Sequence, residues 1–322
     1  MAQNIVMAQS ANGGGSIGMA WPPRYDGYNN RIKGFCSWPI ENRSDAVLMF
    51  EAVREAERAN LGSTRTTVRA FVRHGLLEDL RRAEPSYRVE ARFDAGSAVE
   101  GYELIYLGKN AQGRMPQPAI IENELLSLRE IDGICTTIPG MAQARVARAG
   151  YTLSRLNGYG RQEIGRLLEL YQDAFQKYLF PLNEQTVGEL VDSASIIIVG
   201  RDAGGRIISS LVAEHAPLAF GGKTVHLVEL SEAATDRASR GHGLLTALYF
   251  RITELLREAY EPGNTIVYVE ARAPWIPVSI ATRRADFVRC GVLLQHCTIV
   301  GDRSPGMQYE GDYEDLSVWV GR

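Results

Sequence analysis

The sequence has few cysteines, no long apolar run and no excess of charge of one sign. Its cysteines are scattered without a CxxC pair, so neither a disulfide framework nor a zinc site of paired thiolates is expected. No run of about 18 apolar residues occurs, and residues 1–18 lack the charged start and apolar core of a secretory signal. We therefore expect reduced thiols, a cytoplasmic protein and no membrane partner.

The charge balance and length narrow the class of protein further. The chain has 35 Lys and Arg against 38 Asp and Glu, a net charge of -3, which gives no overall basic surface for a nucleic-acid backbone. With 45% hydrophobic and 23% charged residues, the composition is that of an ordinary globular protein. At roughly 100 to 200 residues per domain, 322 residues favour two domains.

Hydrophobic periodicity predicts an alternation of helices and strands. In the first half we predict a helix at 44–59, a strand at 66–72, a helix at 75–82, strands at 87–93 and 102–107, and a short helix at 122–130. In the second half we predict a helix at 161–178, a hairpin of strands at 195–200 and 206–214, a strand at 223–232, a helix at 244–259, a strand at 265–271, a helix at 278–290, and strands at 292–299 and 316–320.

Both halves end in the order strand, helix, strand, strand, which suggests a weak internal repeat. Glu100-Gly101-Tyr102-Glu103-Leu104 is echoed by the stretch from Glu310 to Leu316 near the final strand. Coincidence is the alternative explanation. We expect a flexible tail at 1–20, an N-terminal domain at 21–145 and a second domain at 151–322, with a linker rich in Pro and Gly between the two domains.

The most informative stretch is the loop 233–243, which joins a predicted strand to a predicted helix. Its small residues allow backbone N–H groups to approach a ligand, and the helix N-terminus favours an anion such as a pyrophosphate. Two known phosphate loops do not fit. The dinucleotide fingerprint needs a glycine where this chain has Thr246, and a P-loop ending at Thr224 would need its first glycine at Pro217.

The order of elements around Arg240-Gly241-His242-Gly243 resembles the GNAT superfamily of acyl-CoA-dependent N-acyltransferases. Gly241 and Gly243 fit the superfamily signature (Gln/Arg)-x-x-Gly-x-(Gly/Ala), whereas Ala238 stands at its first position. A tyrosine that often donates a proton to the leaving thiolate is replaced by Phe287. The resemblance implies an α/β fold with a mixed, mostly antiparallel sheet, here with a smaller N-terminal α/β domain that is a partial copy.

Within that superfamily, the chain is most similar to β-lysine N-acetyltransferases. The resemblance covers residues 151–322 well and 25–110 loosely. It is carried by four stretches: Phe175-Gln176-Lys177-Tyr178-Leu179-Phe180-Pro181, Glu229 to Thr235, Tyr268-Val269-Glu270-Ala271-Arg272-Ala273, and Tyr313 to Trp319. It points to acyl transfer more specifically than to β-lysine.

The resemblance implies acetyl-CoA as cosubstrate and a small-molecule amine as acceptor. The expected acetyl-CoA contacts are Leu230, Ser231, Arg237, Arg240, Gly241, His242, Gly243 and Leu244. The expected acceptor contacts are Phe175, Tyr178, Phe180, Glu270 and Arg272. Arg283 and Arg284 are alternative partners for the CoA 3′-phosphate, or simply solvated helix arginines.

Acyl transfer needs a neutral amine, so a carboxylate is the expected base. Glu229 and Glu232 precede the loop, and strand alternation places them on opposite faces unless a bulge intervenes. We favour Glu229. The backbone at Leu230 or Ser231 is the expected oxyanion donor. Tyr268, with Tyr249 as an alternative, is the candidate proton donor to the thiolate.

Several alternatives stay open. The histidines lack further ligands at suitable spacing, so no metal is expected, and His242 is an unfavoured acid–base candidate. The acceptor is alternatively a protein or peptide amine. A non-catalytic acyl-CoA-binding regulator is the rival from another class, motivated by Ala238 and Phe287. A homodimer is compatible with the sequence, and no nucleic-acid partner is expected.

Overall fold

The computed structural model describes residues 21–111, 114, 116–220, 222–305, 307, 311 and 313–322. The predicted tail at 1–20 lies outside them. The described strands are β1 (Trp21–Asp26), β2 (Arg31–Ile40), β3 (Arg65–Arg73), β4 (Arg88–Asp94), β5 (Tyr102–Asn110), β6 (Thr152–Arg155), β7 (Phe175–Lys177), β8 (Ile196–Arg201), β9 (Ile207–Phe220), β10 (Lys223–Thr235), β11 (Thr265–Arg272), β12 (Phe287–Cys297), β13 (Val300–Gly301) and β14 (Glu314–Gly321). The described α-helices are α1 (Arg43–Ala59), α2 (Leu77–Ala83), α3 (Pro118–Asp132), α4 (Pro139–Arg148), α5 (Arg161–Ala174), α6 (Glu184–Ser193), α7 (Leu244–Ala259) and α8 (Ile276–Arg284).

Twelve strands form one mixed sheet in the order β1-β2-β3-β5-β4-β12-β14-β11-β10-β9-β8-β6. Only β2 with β3 and β10 with β11 pair in parallel within the described residues, and the other neighbours are antiparallel. Each parallel pair is connected through a helix, α1 or α7, because parallel neighbours need a crossover. The predicted α/β fold with a mixed, mostly antiparallel sheet is confirmed.

The sheet has the same strand order in both halves of the chain. Residues 21–110, the N-terminal half, give β1-β2-β3-β5-β4, and the C-terminal half, residues 151–322, contains the matching run β9-β10-β11-β14-β12. Gly101 before β5 and Gly311 before β14 both have left-handed backbone, with φ of +82° and +89°. The structure thus repeats one topology, as the echoed stretches suggest, while the domain limits at 145 and 151 stay a prediction.

The two halves share a hydrophobic core between their inner faces. Phe35 and Phe71 of the N-terminal half belong to the same buried cluster as Leu227 and Tyr268 of the C-terminal half. Helices α7 and α8 cover the outer face of the C-terminal sheet, and α1 and α2 cover that of the N-terminal sheet. The inner faces of β10 and β11 therefore look toward the N-terminal half as well as toward α5.

Several predicted elements need correction. The helix predicted to 178 ends at Ala174, after which Phe175 pairs with Gly301 as the short strand β7. The helix predicted to 290 ends at Arg284, because Asp286 adopts left-handed backbone (φ +69°) and the following residues pair with β14. The strands β1, β2 and β6 and the helices α4 and α6 were not predicted. No described helix is both long and apolar enough to cross a membrane.

Candidate active site

A cavity of about 500 Å³ opens where β10 and β11 separate. The two strands pair in parallel as far as Glu229 opposite Tyr268, and beyond this point both continue without pairing each other. Leu230 and Ser231, the expected acetyl-CoA contacts, follow directly and line the cavity. Because successive N–H groups of a strand point to opposite sides, one of these two residues directs its N–H into the gap.

A bulge in β10 changes the direction of Glu232. The pairing of β10 with β9 is regular through Ser231 and shifts before Ala234, and Glu232 takes a left-handed backbone with φ of +44°. Its carboxyl consequently points to the inner face, on the side of Glu229. Simple strand alternation would have separated the two carboxyls, so the bulge brings both expected base candidates to one face.

Ser231 links two carboxyl groups on that face. Its Oγ lies 2.6 Å from Glu214 Oε1 and is also hydrogen-bonded to Glu232 Oε2. A serine hydroxyl has one hydrogen, so it donates to one carboxyl and accepts from the other, which must then carry a proton. Tyr178 donates its hydroxyl to Glu232 Oε1 at 2.7 Å. The cluster is therefore fully hydrogen-bonded only when it holds one proton.

Burial raises the pKa of both candidate bases into the neutral range. Burial, together with the nearby charge of Glu214, raises the pKa of Glu232 to about 8. Burial, with the charges of Glu270 and Glu214, raises the pKa of Glu229 to about 7, although Arg69 opposes this shift. Carboxyl groups that titrate near neutral pH are suited to exchange protons with an amine.

Tyr268 and Glu229 lie behind the cavity wall rather than in it. Tyr268 donates its hydroxyl to Glu229 Oε2 at 2.9 Å and accepts a hydrogen bond from Arg69 Nη1 at 2.7 Å. Burial, reinforced by neighbouring carboxylates, raises the pKa of Tyr268 well above its ordinary value. Glu270, two residues along β11, lines the cavity with Glu232. Of the three predicted catalytic side chains, only Glu232 is a wall residue.

The loop before α7 forms the other end of the cavity. Gly241 and Gly243 both have left-handed backbone, with φ of +83° and +82°, and this conformation favours glycine. The first N–H groups of any α-helix lack intrahelical partners, and because Gly243 is the N-cap of α7, no side chain caps them here. Leu244 and Arg240 complete this end, and Arg240 is oriented by Asp302 at 2.7 Å.

Two loop residues predicted to contact acetyl-CoA do not line the cavity. Arg237 lies outside it, with ion pairs to Asp302 at 3.2 Å and Asp173 at 3.5 Å. His242 packs edge-on against Tyr151, with ring centroids 5.6 Å apart. His242 is therefore not a wall residue, although its neighbours Gly241 and Gly243 are.

Helix α4 contributes a cavity residue that was not predicted from the sequence. Arg145 lines the cavity and donates from Nη2 to the Gly241 carbonyl at 2.7 Å. The signal was available, because Pro139 is a favoured first helical residue and Ala142 and Val146 are spaced four apart on the buried face. Arg284 of α8, an expected alternative phosphate partner, also lines the cavity.

The predicted acceptor contacts divide into wall residues and supporting residues. Phe175 and Tyr178 line the cavity, while Phe180 packs on Tyr178 from outside, with ring centroids 5.1 Å apart. Arg272 reaches the wall, but its guanidinium is held by Glu314 through two hydrogen bonds of 2.7 and 3.0 Å. To bind an acceptor anion as predicted, the Arg272 guanidinium would have to give up hydrogen bonds to Glu314.

Histidines lie outside the cavity wall. His215 and His226 hydrogen-bond each other at 2.8 Å on β9 and β10, and burial lowers the pKa of His215 to about 4. His296 is buried behind Glu270, at 3.8 Å. Among the residues that the structure describes, no group of three His, Cys, Asp or Glu side chains is arranged to hold a metal ion.

No family model and no curated protein matches this chain. Solved structures of similar shape include ribosomal-protein-alanine N-acetyltransferase from Brucella melitensis, 20% identical, covering 52% of this chain and 98% of that one with a TM-score of 0.38. NAA60 from Arabidopsis thaliana in complex with acetyl-CoA is 15% identical over 53% and 97%, with a TM-score of 0.40. Ribosomal-protein-S18-alanine N-acetyltransferase from Escherichia coli is 15% identical over 53% and 92%, with a TM-score of 0.37.

Proposed function

We propose that the chain is an acyl-CoA-dependent N-acyltransferase of the GNAT type, with acetyl-CoA as cosubstrate. One observation carries the proposal. A single cavity joins the uncapped N-terminus of α7 to the buried carboxyl groups of Glu232 and Glu270 through the gap between β10 and β11. Transfer of an acyl group from an acyl-CoA to an amine requires three features: an anion-binding end, an extended strand edge and a proton-accepting end.

The anion-binding end suits the pyrophosphate of the cosubstrate. The free N–H groups that follow Gly243 and the positive end of the helix dipole would bind its oxygens, with Arg145 and Arg284 nearby. The extended arm between pyrophosphate and sulfur would lie along the unpaired edge of β10. This places the thioester carbonyl beside Leu230 and Ser231, where a backbone N–H directed into the gap would stabilise the oxyanion.

At the other end, Glu232 would take the proton of the attacking amine. The amine nitrogen forms a bond to the thioester carbon, the carbonyl oxygen becomes the oxyanion, and the carbon–sulfur bond then breaks to release the thiolate. In its carboxylate form, Glu232 accepts the proton from the amine nitrogen. Because the pKa of Glu232 is about 8, the carboxylate is the major form above this pH. Glu229 and Tyr268 hydrogen-bond each other and do not line the cavity, so we assign these two residues a supporting role.

We propose a small amine as the acceptor, and a diamino acid such as β-lysine as the specific candidate. The inner face presents carboxyl groups that would attract a cationic amine. They are Glu214, Glu229, Glu232 and Glu270. A protein or peptide amine keeps the same chemistry and is the second candidate. A cytoplasmic location and a homodimer remain predictions.

The test is thiol release from acetyl-CoA over a panel of lysine, β-lysine, spermidine and short peptides. We expect Glu232→Gln to lower kcat/KM by about 100-fold or more, the usual contribution of a positioned base. Glu258→Gln is the matched control, because this glutamate is exposed on α7 far from the carboxyl cluster. Full turnover by Glu232→Gln would remove the proposed base.

Binding distinguishes an enzyme from the regulatory alternative. Calorimetric titration with acetyl-CoA, using dephospho-CoA and NADH as controls, measures the cosubstrate site without any turnover. Micromolar affinity, about -8 kcal/mol, together with thiol release would support the enzyme. The same affinity without thiol release on the whole panel would favour a non-catalytic acyl-CoA-binding protein, and no binding would contradict both.

A further inference from the structure

The N-terminal half places a cation against the inner face of β11. Arg69 of β3 donates from Nη1 to Tyr268 Oη at 2.7 Å, and the same nitrogen lies 3.7 Å from Glu270 Oε1. The guanidinium lies among the rings of Phe35, Tyr106 and Tyr268, at 5.7, 5.7 and 5.8 Å from their centroids. This arrangement fixes Arg69 in contact with both halves of the sheet, and Glu270 connects it to the cavity wall.

We propose that Arg69 is a positioning residue of the acyl-transfer site, acting through Tyr268 on Glu229 and directly on Glu270. The inference rests on the proposed function, because that function is what makes the cavity a reaction site. The contacts of Arg69 do not depend on it. It gives the N-terminal half a part in the reaction. The site would be incomplete in a chain that contained the C-terminal half alone.

The direction of the hydrogen bonds explains how Arg69 would act. A phenol has one hydrogen, and an arginine can only donate. Because Arg69 donates to Tyr268 Oη, the tyrosine hydrogen is directed at Glu229 Oε2, which lies 2.9 Å away. A hydrogen bond to the carboxylate form and a nearby positive charge both favour ionised Glu229. Arg69 therefore limits how far burial raises the pKa of Glu229.

The charge of Glu229 in turn acts on Glu232. An ionised Glu229 raises the pKa of Glu232, so the proton is kept on Glu232 rather than on Glu229. The other titratable or charged groups that face Glu229 come from four neighbouring strands and from β10 itself. They are Lys33 of β2, Tyr106 of β5, Glu214 of β9, Glu270 and Tyr268 of β11, and Glu232 of β10. Arg69, in addition to them, contacts both Tyr268 and Glu270.

The experiment compares Arg69→Gln, Arg69→Lys and Tyr268→Phe in the full chain, with Arg73→Gln as a control on the exposed end of the same strand. The first readout is a carbon-13 NMR titration of glutamate carboxyl groups, in which Glu229→Gln identifies the Glu229 signal. We expect the Glu229 titration to move to higher pH in Arg69→Gln and in Tyr268→Phe. Arg69→Lys should restore most of the shift, and Arg73→Gln should leave it unchanged.

The second readout is the pH profile of kcat/KM. In Arg69→Gln a less ionised Glu229 lowers the pKa of Glu232, so we expect the rise of kcat/KM with pH that reports ionised Glu232 to move by about one unit toward lower pH, with recovery in Arg69→Lys. An unmoved Glu229 titration in both Arg69→Gln and Tyr268→Phe would overturn the inference. If wild-type protein turned over no amine, the proposed function would fail, while the NMR titration would still decide whether Arg69 controls Glu229.

Discussion

Gly291 of β12 lies directly opposite Ala91 of β4, and this register position joins the N-terminal and C-terminal halves of the sheet. A Cβ atom at position 291 would lie 2.5 Å from Ala91 Cα and 2.6 Å from Ala91 Cβ. The obstacle is the backbone of a neighbouring strand, so it cannot move aside without disturbing the pairing. This pairing of β4 with β12, which we call the seam, holds the N-terminal half with Arg69 against the C-terminal half with the cavity.

We expect Gly291→Ala to lower the free energy of unfolding by about 3 kcal/mol, the upper part of the usual range for overpacking. Urea unfolding followed by circular dichroism measures it. Gly165→Ala is the control, because a Cβ there meets no atom within 4 Å and alanine favours the interior of α5. A Gly291→Ala variant as stable as the Gly165→Ala variant would show that the seam is not tightly packed.

The two crossover helices differ at their N-termini. Asn42 caps α1 by accepting from the backbone of Ser44 and Asp45, and Asp45 in turn accepts from the backbone of Asn42. These bonds occupy the groups that an anion would use, whereas Gly243 leaves the corresponding groups of α7 uncapped. We therefore expect one acetyl-CoA per chain in calorimetry, although the topology occurs twice.

The same contrast predicts the effect of changing the α7 cap. Gly243→Ala meets the left-handed strain of φ +82°, and its Cβ would lie 3.2 Å from Arg145 Cδ. We expect acetyl-CoA to bind about tenfold more weakly, a loss of about 1.4 kcal/mol. Gly205→Ala carries similar strain at φ +80° in the hairpin between β8 and β9, with no atom within 4 Å of its Cβ. Equal weakening in both variants would show that strain alone, rather than the cavity, is responsible.

Arg145 provides a separate prediction for the anion-binding end. Its guanidinium bonds a backbone carbonyl, which leaves further donors for a phosphate oxygen. We expect Arg145→Ala to weaken acetyl-CoA binding by about tenfold, with a smaller effect at high salt because the interaction is exposed to screening. Arg148→Ala is the matched control, as Arg148 is exposed on the same helix and donates to the Ala144 carbonyl. Equal affinities of the two variants would contradict the assignment.

Many helices and strands of the C-terminal half could be predicted from the sequence because their apolar residues recur with a clear helical or strand period. Helix α7 begins and ends where its apolar spacing predicts, at Leu244 and Ala259. The helix predicted at 278–290 runs into strand β12, because Phe287 to Cys290 suits either structure. The pairing with β14 that decides between them involves residues far along the chain. The short strand β6, with only four residues, has too few apolar positions to stand out.

For the candidate site, the sequence indicates which residues to consider but not how they are arranged in space. Glu232 and the glycines of the loop were identified from local patterns, and Tyr178 from the family resemblance. The direction of Glu232 depends on a bulge whose left-handed residue is not a glycine, and no sequence signal marks it. The contact of Arg69 with Tyr268 joins residues that are 199 positions apart, so it follows from the repeated topology and not from any motif.

The ion pair of Arg272 with Glu314 gives a prediction on stability. Both side chains are buried, and Arg303 adds a second contact to Glu314 at 2.8 Å. Removing Arg272 leaves the buried charge of Glu314 compensated by Arg303 alone, so we expect Arg272→Met to cost about 3 kcal/mol of unfolding free energy, the low end of the cost of breaking a buried pair. Double replacement with Glu314→Gln should recover part of that loss. If Arg272 instead served mainly to bind an acceptor anion, Arg272→Met would raise KM and leave the unfolding free energy unchanged.

The raised pKa of Glu232 also predicts how stability varies with pH. An ordinary glutamate in the unfolded chain titrates near 4.5, and in the folded protein burial moves the pKa of Glu232 to about 8. The folded state therefore holds this proton more tightly, and its stabilising effect is complete below pH 4.5 and is lost as the pH rises through 8. Glu232→Gln cannot lose that proton, and its amide can still accept the hydrogen bond from Tyr178.

Relative to wild type, Glu232→Gln should gain stability between pH 5 and pH 8.5 by at least about 1 kcal/mol, the worth of roughly one pKa unit. Urea unfolding of both proteins at the two pH values measures the difference, and Glu258→Gln should show none because that side chain is exposed. A difference that stays constant with pH would mean that Glu232 ionises normally. Such a carboxylate would be charged throughout the neutral range, and the alkaline rise expected for kcat/KM would be absent as well.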